Sequence, residues 1–219
     1  MENVSNLARR HKDTLYRLLT SFTDLGYNMG YQLLNAADFG VAQSRVRVII
    51  AGIRKDLGFF YEFPKPPQIR RTVRDVIGDL PEAATVTKFL YEEPLIPNHT
   101  TNWESPSPER LYDVILNPRN QRRGMRRLPW DDVSPTLTAH IAKDGREFLH
   151  PTADRRLTVR EALRIMSVPD SYVIPGSVKL SHQYRLTGNG VPYLLGKALA
   201  QSLRLQLLNA RDNRMVGII

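Results

Sequence analysis

Five arginines, Arg119, Arg122, Arg123, Arg126 and Arg127, fall among nine residues with no acid between them. Guanidinium groups at that density either solvate a loop or grip phosphate through charge-assisted bonds. A second polar set, Gln43, Arg45 and Arg47, is spaced by two. On a strand, alternation places all three on one face, which is then either a solvated face or a polar binding face. Thirty-one Lys and Arg against twenty-two Asp and Glu leave a formal charge of +9. With a pI near 10.0, that balance favours a polyanionic partner such as nucleic acid over a small acidic substrate.

Other chemistry is excluded. The 219 residues contain no cysteine, so they hold no disulfide, no thiolate metal ligand and no cysteine nucleophile. The histidines, His11, His99, His140, His150 and His182, lie far apart without metal-ligand spacing, so no metal site is expected. No apolar run reaches membrane-spanning length, and no basic-then-apolar leader is present. The expectation is an intracellular soluble protein. Its length and 42% hydrophobic content suit one full domain or two small ones.

The elements that must position these residues follow from periodicity. Leu15, Leu18, Leu19, Phe22 and Leu25 recur at helical spacing and Gly26 follows them, which predicts an amphipathic helix. "YNMGYQLLNAADFG" and "RVRVIIAGIRKD" predict a strand pair, with Val46, Val48, Ile49 and Ile50 buried. From about Asp56 to Leu149 prolines and short apolar runs predict loop-rich structure, with one short helix in "TVRDVIGDLPE". Thr158 and Glu161 form a capping box, with Leu157 as a staple and Pro169 beyond the helix end. A final helix enters through "GNGVP" and carries Leu195, Ala198, Leu199 and Leu203 on its apolar face, and the tail "NARDNRMVGII" is expected to be loosely held.

"ENV", "LNAADFGVAQSRVRV", "LPWDDVSPTLT", "HPTADRRLTVREALRIMSVPD" and "YRLTGNGVP" occur in this order along nearly the whole chain. Taken together they resemble the C-terminal half of bacterial DNA cytosine-5 methyltransferases. The resemblance implies an α/β fold: the C-terminal portion of a Rossmann-like, S-adenosylmethionine-dependent catalytic domain, plus a loop-rich, mixed α/β target-recognition domain. Residues 1–56 and 179–219 would belong to the catalytic domain and residues 57–178 to the recognition domain.

The resemblance also assigns roles. Taken alone, an N-terminal Glu-Asn-Val reads as an exposed chain end. In the family, its Glu activates the flipped cytosine through N3 and the exocyclic amine, a role that falls here on Glu2, while Asn3 helps fix the loop. Arg45 and Arg47 match the arginines that contact the base oxygen and the DNA backbone, with Gln43 beside them. Ala42 departs from the usual proline. Thr136, in "SPTLTA", resembles the Thr of the recognition loops, and Arg119 to Arg127 would read guanine or grip phosphate. Arg155 takes the place of the arginine in the motif that organises the recognition domain, where Met166 and Val168 replace the usual Gln and Phe. Asn189 and Gly190 are the expected contacts to S-adenosylmethionine.

The family's Pro-Cys nucleophile and glycine-rich cofactor loop have no counterpart in these 219 residues. The resemblance therefore implies one subunit of a split enzyme, binding double-stranded DNA and paired with an N-terminal methyltransferase subunit that carries both motifs. The expected setting is the bacterial cytoplasm and nucleoid, with weak or no cofactor binding by the chain alone. A non-catalytic DNA-binding module and an inactive truncated methyltransferase are the alternatives.

Overall fold

The computed structural model describes residues 1–67, 69–86, 95–101, 109, 112, 126–142 and 148–216. It divides into two compact units. Unit 1 comprises Met1–Gly40, Arg45–Ile69 and Leu194–Ile219, and unit 2 comprises Val41–Ser44 and Arg70–Tyr193. By contact, residues 57–69 group with unit 1 and residues 179–193 with unit 2.

Unit 1 is built on a three-stranded antiparallel sheet. Strand β1 (Glu2–Val4) lies at one edge, β3 (Val46–Arg54) in the centre and β2 (Tyr27–Asn35) at the other edge. Helices α1 (Asn6–Arg9) and α2 (Lys12–Asp24) cover one face through Ala8 and Leu15, which are buried against Val48 and Ile50, with Leu18 and Leu19 packed beside them. The predicted helix and strand pair are therefore present. Gly26 turns the chain out of α2 at φ +93°, a left-handed conformation that glycine adopts without steric cost. Leu25 is not on the apolar face: it caps the helix and is 72% exposed. Val48, Ile49 and Ile50 are buried as expected, whereas Val46 is half-buried.

Unit 2 gathers short elements around one core. Two parallel strand pairs join β4 (Thr85–Val86) to β5 (Thr100–Thr101) and β6 (Arg126–Arg127) to β7 (Phe148–Leu149). Helix α3 (Val73–Ile77) is the short helix read from "TVRDVIGDLPE", and Thr72 caps it with Asp75. Helix α4 (Val159–Ile165) carries the predicted capping box: the Thr158 hydroxyl accepts from Glu161 N, and Thr158 N donates to Glu161 Oε2 at 2.7 Å. Leu157, Val159, Leu163 and Ile165 bury against Val73 and Ile77.

Two elements differ from the sequence reading. Helix α5 (Leu180–Asn189) precedes "GVP", where only a helix-entry turn was expected. Its inward face is Leu180, Gln183, Tyr184, Thr187 and Gly188, at helical spacing but mostly polar, so hydrophobic periodicity conceals it. Helix α6 (Tyr193–Val216) runs through the tail expected to be loose, because after Gly196 in its first turn no proline or glycine interrupts it before Gly217. Within unit 1, the proline-rich stretch clips onto α6: Tyr61 donates to Leu199 O at 2.9 Å, and Glu62 O accepts from Gln206 Nε2 at 2.8 Å.

Candidate functional site

The register of β1 on β3 pairs Glu2 with Ile49 and Val4 with Arg47, so Glu2 and Arg47 share a sheet face as diagonal neighbours. Long side chains bridge that diagonal, and Glu2 Oε1 lies 2.8 Å from Arg47 Nε. The contact is an ion pair without hydrogen-bond alignment, and Oε1 is shielded from solvent. Arg47 is further fixed by donating through Nη1 to Val46 O at 2.9 Å. Asn3 points to the opposite face by strand alternation and is exposed; its Oδ1 accepts from Val4 N at 2.8 Å.

Arg45 precedes β3 and is placed by Asn35. The Asn35 Oδ1 accepts from Arg45 N at 2.9 Å and from Ala37 N at 3.3 Å, and Ala36 N donates back to Arg45 O. This lock follows from an Asn at the strand end that also caps the Ala36–Phe39 turn. Arg45 is 3% exposed. Burial, then the charge of Arg47, lowers its guanidinium to about 10, while the Glu2 carboxylate opposes that fall. It stays cationic at neutral pH. Two guanidinium groups thus act with one carboxylate, a set that holds a polar planar group and attracts an anion.

In unit 2, Gln43 and Thr136 serve the fold. Gln43 is not on a strand face with Arg45 and Arg47, since β3 begins at Val46. It is fully buried, accepting from Leu137 N at 3.2 Å and donating to Met166 Sδ at 3.4 Å. The Thr136 hydroxyl donates to Ser44 O at 2.8 Å, and Ser44 N to Ser134 O at 2.8 Å, which ties the Gln-Ser segment to "SPTL". A Met at position 166 supplies the soft acceptor that the Gln43 amide meets.

Arg155 is also turned inward. Nη1 and Nη2 form a bidentate pair with Glu161 at 2.9 and 2.7 Å, and Nε donates to Glu82 O at 2.7 Å. It braces the carboxylate of the α4 capping box. Arg127 wraps the following turn, with Nη1 donating to His150, Thr152 and Ala153 carbonyls at 2.9 Å each and Nη2 paired with Asp154. Arg126 is exposed and lies over the Phe148 ring at 5.0 Å. Arg119, Arg122 and Arg123 lie outside the described residues.

Asn189 ends α5 and is exposed. Gly190 caps the helix, its N–H donating to Leu186 O at 3.1 Å, and lines an apolar cavity of about 380 Å³ with Met166, Tyr172, Leu186, Val191 and Tyr193. Gly188 was not singled out from sequence. A Cβ there would sit 2.4 Å from the backbone C and O of Thr138, so glycine permits α5 to cross closely over the backbone that enters the Ala139–Ala142 3-10 turn. Its signal was the first glycine of "GNG".

The family model of C-5 cytosine-specific DNA methylases matches residues 1–204. This chain belongs to that family. Among members of the C-5 cytosine-specific DNA methylase family, it is 35% identical over 231 residues to a type II methyltransferase of Methanothermobacter thermautotrophicus, covering 94% of this chain and 65% of the relative. A type II methyltransferase of Neisseria gonorrhoeae is 31% identical over 232 residues, covering 94% and 64%. One from Bacillus subtilis is 30% identical over 242 residues, covering 95% and 49%. The chain thus spans between 49% and 65% of these curated relatives' length.

The mixed α/β fold is that of solved methyltransferase structures. A prophage-encoded E. coli protein described as a DNA modification methyltransferase matches with a TM-score of 0.73 at 21% identity, covering 95% of this chain and 68% of that one. A Spodoptera frugiperda DNMT2 variant matches with a TM-score of 0.58 at 18% identity, covering 95% and 65%. The chain thus shares a mixed α/β fold with these structures, and within it Glu2, Arg45 and Arg47 are gathered in one unit.

Proposed function

We propose that this chain supplies target recognition and base activation to a DNA cytosine-5 methyltransferase, and that the nucleophilic cysteine and glycine-rich cofactor loop come from a complementing N-terminal subunit. The observation that carries the reading is the Glu2 carboxylate held by Arg47 beside buried Arg45, in a chain of this family that contains no cysteine. The strands of unit 1 are then the C-terminal portion of a Rossmann-like sheet, unit 2 reads double-stranded DNA, and the protein works where bacterial DNA is.

Cytosine is a poor electrophile at carbon 6, and a carboxyl group on N3 and the exocyclic amine draws charge into the ring. With Glu2 Oε1 shielded against Arg47, the part-exposed carboxylate would meet that amine through its other oxygen. Arg47 keeps the carboxylate from swinging away, and the two guanidinium groups stabilise negative charge on the base oxygen or the nearby phosphate. Gly190, with Val191, fits one wall of an S-adenosylmethionine site by lining an open apolar cavity that has no carboxylate to take a ribose, while Asn189, exposed at the end of α5, is not among the lining residues. When bound, that cofactor supplies an electrophilic methyl group. This wall alone implies weak binding.

The test is methyl transfer from labelled S-adenosylmethionine to DNA by the chain alone and mixed with the complementing cysteine-bearing subunit. Transfer only on mixing is the expected result. Transfer by the chain alone overturns the split reading, and no transfer on mixing favours a non-catalytic or truncated form.

A further inference from the structure

We infer that Arg9, Arg10 and Lys12 form a second phosphate-binding surface that grips the DNA backbone beside the nucleotide held at Glu2. The inference rests on the proposed DNA methyltransferase reading and deepens it. Arg9, Arg10, His11 and Lys12 are consecutive and all exposed. Among the described residues, Arg9, Arg10 and Lys12 take part in no ion pair, and the first acid after them is exposed Asp13 in the opening turn of α2. Like charges in a row repel one another, and that cost is relieved when an anion lies across them.

The run is held in place. Leu7 and Ala8 anchor α1 on the cluster of Leu15, Val48 and Ile50, which turns Arg9 and Arg10 outward. Ser5 O accepts from Ala8 N and Arg9 N at 3.1 Å each, and Asn6 O accepts from Arg10 N at 2.8 Å, so the turn is hydrogen-bonded throughout. Only Ser5 separates β1 from α1, and four helical residues rise about 6 Å. Glu2 lies on the sheet face opposite the one α1 covers, so the carboxylate and the run flank β1 from its two sides. Duplex DNA that places a base at Glu2 and passes the end of β1, with a charge about every 1.7 Å of its axis, brings phosphates to the run. The contrast with unit 2 is direct: Arg127 and Arg155 are consumed by internal partners, whereas these cations are open.

The experiment measures binding of a mixed-sequence DNA duplex across a salt series, using the full chain alone and with the complementing subunit. In the triple variant Arg9→Gln, Arg10→Gln, Lys12→Gln the slope of log affinity against log salt is expected to fall by about 2 to 3, since each phosphate contact contributes about 0.9. The charge-keeping variant Arg9→Lys, Arg10→Lys, Lys12→Arg should retain the parent slope, which separates lost charge from lost folding. An unchanged slope in the triple variant overturns the inference. An equal fall in Arg204→Gln, Arg211→Gln, two exposed cations of α6, reduces the effect to net charge and overturns it too. If the parent binds no DNA in either setting, the proposed function itself fails.

Discussion

Glu2 on the edge strand and Arg47 on the central strand meet diagonally, with 2.8 Å between Oε1 and Nε. That contact sets the position of the carboxylate by register alone: a slip of one residue would turn Glu2 to the other face.

Replacing Glu2 with Gln keeps the shape and removes the charge. In the complemented enzyme, methyl transfer should fall at least about 100-fold, the lower end for a lost proton-handling group. Circular dichroism and urea unfolding should change little, since the residue is on an edge strand. Undiminished transfer by the Gln variant means that Glu2 does not activate the base.

Arg155 and Glu161 form a pair in which Glu161 is fully buried, so removing one partner strands the other. Arg155→Ala is expected to cost about 3–5 kcal/mol, while Thr158→Ala, which removes the cap and the hydroxyl's contact with His99 Nδ1 at 3.1 Å, should cost about 1–2 kcal/mol. Urea midpoints measure both. A near-neutral Arg155→Ala would mean that the arginine does not brace α4.

The close crossing of α5 yields a paired test. Gly188→Ala forces the Thr138 backbone aside and should lose about 1–3 kcal/mol. Gly176→Ala meets nothing within 4 Å and should stay within about 0.5 kcal/mol of the parent. Equal melting temperatures for the two variants would contradict the packing described for α5.

His150 is buried, and its Nδ1 accepts from Ala153 N at 3.0 Å and Thr152 N at 3.3 Å. Burial holds its pKa below the ordinary 6.5, outweighing Glu161, whose Oε1 lies 3.7 Å from Nε2 and favours the charged form; Glu82 acts with Glu161, and Arg155 and Arg127 act against them. Between the folded value and 6.5 the unfolded chain binds a proton that the folded chain does not. Stability therefore rises with pH across that window and is lost as pH falls below 6.5 toward the folded value. Urea midpoints from neutral to acid pH should show this decline, and His150→Gln should flatten it.

Much of the fold was legible because its signals are local. The capping box at Thr158, the glycine after α2 and the strand pair around the Asn-Ala-Ala-Asp-Phe-Gly loop are each written within a few residues. Helix α5 was hidden because Gln183 and Thr187 occupy inward positions normally read from apolar residues. Gln43 was misplaced because its partners, Leu137 and Met166, are remote in sequence and draw its amide inside.

By itself the sequence determined the reactive inventory: no thiol within 219 residues, a surplus of cations, and motifs whose order implies the family. Only the tertiary structure decided which of those cations remain open. Arg127 and Arg155 meet carbonyls and carboxylates brought to them by the chain's folding, whereas Arg9 and Arg10 are turned outward by the apolar face of α1 and Lys12 is exposed at the start of α2. A charge is legible in one dimension, but its partner is fixed by distance in three.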